Sequence, residues 1–105
     1  MTPIDPTVVI ERMARRLRAE GATHPVAGAL ATAARGHARM AQADFAAATG
    51  VPVEILRSAE TGATSFGELP AAIGEQASAT GADLLALADL DATWRGGPPA
   101  QAAWP

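Results

Sequence analysis

The side chains able to do chemistry gather between positions 39 and 62. Arg39, Gln42, Glu54, Arg57, Ser58 and Thr61 are hydrogen-bonding groups with no histidine among them to activate a hydroxyl. A set of that kind recognises rather than transforms. Guanidinium, amide and hydroxyl groups donate hydrogen bonds, and a carboxylate accepts them. Catalysis has no comparable set. Ser58, Ser65 and Ser78 have only His24 and His37 as possible bases, and no glycine-rich nucleophile turn is present. The two histidines have no cysteine and no flanking acid in ligand spacing, so no metal site is expected. The reading is of a protein that is not an enzyme and carries no cofactor.

Composition narrows the field further. The chain has 105 residues, about one domain, and contains neither lysine nor cysteine. A phosphate-binding P-loop cannot be completed without its lysine, Schiff-base chemistry has no amine, and disulfides, thiol catalysis and thiolate metal sites are all excluded. The missing cysteines fit a reducing cytoplasm. The first eleven residues include Asp5 and no apolar segment, and the longest uncharged apolar stretch, 26–34, is nine residues. Neither a signal peptide nor a membrane span is expected, and the localisation expected is cytoplasmic.

The net charge is −3, unevenly placed: residues 1–40 hold six arginines against three acids, and residues 41–105 hold two against eight. A basic end hints at an anionic partner, although a solvated helix face explains such a run more often.

The elements that must position the polar set read as helices. Of the 49% hydrophobic residues more than half are alanine, while only 19 positions are Val, Ile, Leu or Phe. Alanine has the highest helix propensity and little side chain to bury, so closely approaching helices are favoured over sheet. Asp5 and Pro6 are an N-cap and first-turn pair, and Gly21 a stop, which predicts a helix over 6–20 whose apolar stripe is Val9, Met13 and Leu17 with Ile10 and Ala14 beside them. Pro25 opens a second helix, with His24 as its cap, and Gly36 ends it. A third spans 42–49 before Gly50, and a fourth opens at Pro52 and runs to about Glu60. Ser65 and Glu68 have capping-box spacing, though Pro70 makes a start near Leu69 equally plausible. Asp83 caps a last helix, 84–90. The tail from Ala92 is rich in Gly, Pro and Ala and reads as disordered, with Trp94 able to fold back. The expected organisation is an all-α, five- to six-helix compact bundle: a basic amphipathic helix in 1–22, a helical domain in 23–91, and a disordered tail in 92–105.

The informative stretch is QADFAAATGVPVEILRSAETG, residues 42–62. Two helices of about eight residues flank a tight turn. Ala46 and Ala47 allow close approach, Gly50 supplies a positive φ and Val51 plugs the angle, which is a helix-turn-helix pattern. Arg35–Gly36, then Gln42, Asp44, Phe45, Ala46, Gly50, Val51, Leu56, Glu60 and Gly62, stand where lambda-repressor-like helix-turn-helix DNA-binding domains (the Cro or XRE type) carry their conserved pattern. The later ATGADLLAL is similar to that fold's ending. The resemblance covers residues 25–90. It departs from the family at Ala41, where a capping hydroxyl is usual, in a longer loop 36–41, and in the additional first helix.

What the resemblance implies is a small transcriptional regulator, a homodimer reading a palindromic double-stranded DNA operator, with residues 52–60 in the major groove. Val53, Glu54, Arg57, Ser58 and Thr61 point outward from that helix. Gln42 takes the place of the family's phosphate clamp or is a solvent-exposed amide. Arg57 is either a base or phosphate contact or a partner of Glu54 or Glu60. Arg35 and Arg39, or the arginines of the first helix, neutralise phosphates. Ile55 is expected half exposed, and Glu60 is expected to fix a helix end. The other function class that fits is a protein-interaction module, antitoxin-like or an assembly partner, that keeps the fold but not the DNA.

Overall fold

Helix ends in this chain are set by short local signals, and most lie where the sequence puts them. In the computed structural model, which describes residues 5–95, the order is α1 (Pro6–Ala19), α2 (Pro25–Ala38), α3 (Gln42–Thr49), α4 (Val53–Glu60), a 3-10 turn (Phe66–Glu68), α5 (Ala71–Ala79) and α6 (Leu84–Arg95). No strand occurs among the described residues. The Asp5 carboxylate accepts from the Thr7 N–H at 2.9 Å, and Asp83 likewise caps α6 by accepting from the Ala86 N–H at 3.0 Å. Gly21, Gly50, Gly62 and Gly81, one after each of four helices, have positive φ.

α2 is the central element, packed against α1, α4, α5 and α6. It can touch so many neighbours because most of its buried positions are small: Ala27, Gly28, Ala29, Ala31 and Ala34, with Pro25, Val26 and Leu30 larger. The bulk of the core comes from the helices around it, through Ile10, Phe45, Leu56, Ile73 and Leu87. At one crossing even alanine does not fit. A Cβ on Gly28 would lie 2.9 Å from the Gly62 backbone nitrogen and 3.0 Å from Leu17 Cδ1. The paired glycines bring the start of α2 onto the end of α4, where the His24 N–H donates to the Gly62 carbonyl at 2.7 Å.

Some boundaries and faces differ from the sequence reading. The α1 stripe is the expected one with its centre shifted: Ile10 and Ala14 are its fully buried positions, while Val9 is 37% exposed and Met13 and Leu17 are partly buried. The helix sits between α2 and α6, so its most buried line points into that crevice. α2 passes through Gly36 and stops at Arg39, which takes φ +58. The Arg39 N–H donates to Gly36 O and the Met40 N–H to Arg35 O, the paired bonds of a Schellman ending, here with arginine at the left-handed position. Of the two starts expected for α5 the later one is found: Ser65 and Glu68 bond each other's side chains at 2.8 Å across the 3-10 turn, and α5 begins after Pro70.

α6 continues to Arg95, not Leu90, because its last turns have something to bury. Asp91 is buried and Trp94 is half-buried against α1, its ring 4.5 Å below the Arg18 guanidinium and 6.0 Å from that of Arg15. Residues 92–95 are therefore helical where a disordered tail was expected; the rest of that expectation, 96–105, lies outside the described residues. His24 precedes α2 but its side chain makes no capping hydrogen bond, and its Nδ1 is buried without a partner.

Candidate nucleic-acid interface

Residues 42–60 fold into two eight-residue helices, α3 and α4, joined by a three-residue turn. Gly50 ends α3 at φ +78, with its N–H on Ala46 O at 2.9 Å. The Thr49 hydroxyl donates to Phe45 O at 2.7 Å and accepts from the Val51 N–H at 3.4 Å, so the turn is bonded from both sides. Val51 is buried at the corner beside Phe45, Leu56 and Ala59. Of the two alanines expected to allow the approach, Ala46 is buried and Ala47 is exposed.

The buried side of this unit fixes what remains outside. Glu54, Arg57, Ser58 and Thr61 are exposed on α4 and its end, and Ile55 is 46% exposed among them. Val53 is different: it is half-buried and packs against the core, which withdraws it from the outward set. The Thr61 hydroxyl donates to Ser58 O at 3.0 Å. Arg57 pairs with neither Glu54 nor Glu60 and has no ion pair among the described residues. Its guanidinium is left to solvent or to a ligand.

Glu60 is tied elsewhere. Its carboxylate is 8% exposed and accepts a fork from Arg35: Nε to Oε2 at 2.7 Å and Nη2 to Oε1 at 3.0 Å. The remaining Arg35 nitrogen, Nη1, donates to Met40 O at 2.9 Å, and Gln42 Nε2 donates to Glu60 Oε1 at 3.3 Å. The hydrogen bonds that Arg35 donates to Glu60 hold the Arg35 pKa above its ordinary value, against the opposing effect of burial and with the carboxylate's charge adding to the rise. One carboxylate thus joins the ends of α2 and α4 to the beginning of α3. The chain of contacts corrects Arg35, expected on phosphate: its guanidinium is occupied. It also corrects the solvent-exposed alternative for Gln42, which is half-buried with its amide leaning on Glu60. Glu60 fixes a helix end, as its position suggested.

The beginning of α3 is electrostatically open. Ala41 offers no side-chain cap, so the amides of the first turn have no partner from it. Arg39 is exposed three residues before Gln42. Arg35 was legible only as a possible phosphate contact, because its partner is 25 residues away and no local spacing relates the two.

The arginines of α1 form a separate group. Arg15 faces Glu11 at 4.0 Å and Arg16 faces Glu20 at 3.6 Å, both pairs on exposed side chains, while Arg15 and Arg18 lie over Trp94. Exposed pairs of this kind contribute little to stability, about 0–1 kcal/mol. Among the described residues no group of three or more His, Asp or Glu side chains is placed to hold a metal ion. No helix there is long and apolar enough to cross a membrane.

The chain matches no family model, no curated protein and no solved structure, so what it does must be argued from these side chains and their placement.

Proposed function

We propose that the chain is a sequence-specific DNA-binding transcriptional regulator of the lambda-repressor-like kind, a cytoplasmic homodimer that lays α4 in the major groove of a palindromic operator. The observation that carries this reading is the α3–turn–α4 unit, whose apolar side is buried while α4 holds Glu54, Arg57, Ser58 and Thr61 to the outside. In such a unit the second helix reads base edges and the first helix's beginning meets the backbone. Arg57 is the base reader, Arg39 and the uncapped amides of α3 are the phosphate ligands, and Gln42, steadied by Glu60, lies beside them. With Arg35 occupied by Glu60, the local positive potential next to the motif rests on Arg39 and Arg57.

The test is a salt titration of binding to random duplex DNA, followed by selection of the bound sequences. Arg57→Ala is expected to cost about 1–3 kcal/mol on the selected sequence and to relax its preference, while Arg39→Ala weakens all sequences alike and reduces the salt slope by about one. No salt-dependent binding at low ionic strength sinks the reading. A second reading, the protein-interaction module, is favoured by one observation: Ile55 is 46% exposed in the middle of the recognition face. If Ile55→Asp releases a protein partner and leaves duplex binding absent, that second reading replaces the first.

A further inference from the structure

An open apolar groove of about 470 Å³ lies between α1 and α2, lined by Val9, Ile10, Met13 and Ala33 with His37 among the surrounding residues. Its hydroxyls are spent on the backbone: Thr32 donates to Gly28 O and Thr80 to Ala77 O. Close by, at the same end of the molecule, Leu85 is 81% exposed, the highest value among the large hydrophobic side chains described as exposed. The neighbourhood is set by two contacts. Thr80, just before α6, lines the groove, and the Asp83 N–H donates to the Thr7 hydroxyl at 2.8 Å, fastening the start of α6 to the start of α1. The start of α6, with Leu85 exposed, is thus fastened next to an apolar hollow that it does not fill.

We infer that the groove between α1 and α2 receives Leu85 of a second copy of this chain, reciprocally, and that this is the dimer surface of the regulator proposed above. A knob and a hollow that engage reciprocally about a two-fold axis close at two copies, whereas a one-way contact propagates, so the arrangement inferred is the reciprocal one. The charges agree with the apolar fit. Asp89 is one helical turn beyond Leu85, exposed and without an ion pair among the described residues; Arg12 is about one turn beyond Val9, also exposed and likewise unpaired there. Seating Leu85 beside Val9 and Met13 brings Asp89 of one copy towards Arg12 of the other, twice per dimer. A polyanion fits this surface less well. Arg15 and Arg16 already face Glu11 and Glu20, and the four arginines of α1 are matched in number by Glu11, Glu20, Asp83 and Asp89.

Sedimentation equilibrium of the full chain over a concentration series measures the association directly. The wild type is expected at twice the 10.6 kDa chain mass. Leu85→Asp, at an exposed position that leaves the helical circular dichroism unchanged, is expected to lose the dimer. Arg12→Glu and Asp89→Arg singly are expected to weaken it, and the two together in one chain to restore it, because each then meets the reversed charge of the other copy. A wild type that stays monomeric at every concentration, a Leu85→Asp chain that dimerises like the wild type, or a double variant that is not rescued overturns the inference. A dimer that ignores duplex DNA overturns the regulator reading and leaves this interface standing. A monomer that binds duplex DNA does the opposite.

Discussion

The α3–α4 unit and the α1–α2–α6 layer solve the same packing problem with different means. In α3–α4 a few large side chains, Phe45, Leu56 and Val51, fill a corner that the turn itself defines. In the other layer the central helix is mostly alanine and glycine where it is buried, and its neighbours are held by close approach: Gly28 against Gly62, Ile10 and Ala14 in a crevice, Trp94 under two arginines. A corner built from bulky residues is specified locally. A layer built from small ones depends on where every neighbour lies, because small side chains leave the helices free to slide or rotate until several contacts agree.

Truncation separates the two regimes most strongly. Leu56→Ala is expected to destabilise by roughly 2–5 kcal/mol, read as a lower denaturation midpoint, since it opens a cavity in the corner. Equal stability of variant and wild type would mean that the α3–α4 corner is not where the core energy lies.

The opposite operation probes the small-residue layer. Gly28→Ala adds one methyl group against the Gly62 backbone, which cannot swing aside, and overpacking of that kind costs typically about 1–3 kcal/mol. An unchanged melting temperature would show that α2 and α4 are not held at the separation described here.

Smaller effects sharpen the comparison at the helix ends. Arg39→Gly removes a side chain from a left-handed backbone position that disfavours it by about 1–2 kcal/mol, and is expected to stabilise the fold while reducing the salt slope of duplex binding. Ala41→Ser supplies the missing N-cap of α3, with a gain on the order of 1 kcal/mol in thermal or urea unfolding. A destabilised Arg39→Gly chain would mean that the guanidinium contributes to the fold as well as to any ligand.

Much of this was legible along the chain. Asp5 with Pro6, Gly21, Gly50 with Val51, and Gly62 each act within one turn of backbone, and the bounds of α1, α3 and α4 follow from them to within a residue or so. The same locality misled at Gly36. A glycine is permitted to end a helix but does not compel it, and α2 ran on to Arg39 because Arg35 anchors its last turn to Met40 and Glu60. Trp94 and Asp91 likewise extended α6 through contacts with helices distant in sequence.

The candidate site divides along the same line. That residues 53–60 are an amphipathic helix with Glu54, Arg57 and Ser58 on its outer side follows from helical periodicity, which the sequence carries whole. That Val53 turns inward, that Arg35 is occupied, and that Gln42 leans on a buried carboxylate follow only from the folded chain. The reason is physical: periodicity and capping act over one turn of backbone, whereas the partner of a charged side chain is chosen by proximity in space. Twenty-five residues of sequence separate Arg35 from Glu60, and the packing of α2 on α4 brings their guanidinium and carboxylate to 2.7 Å.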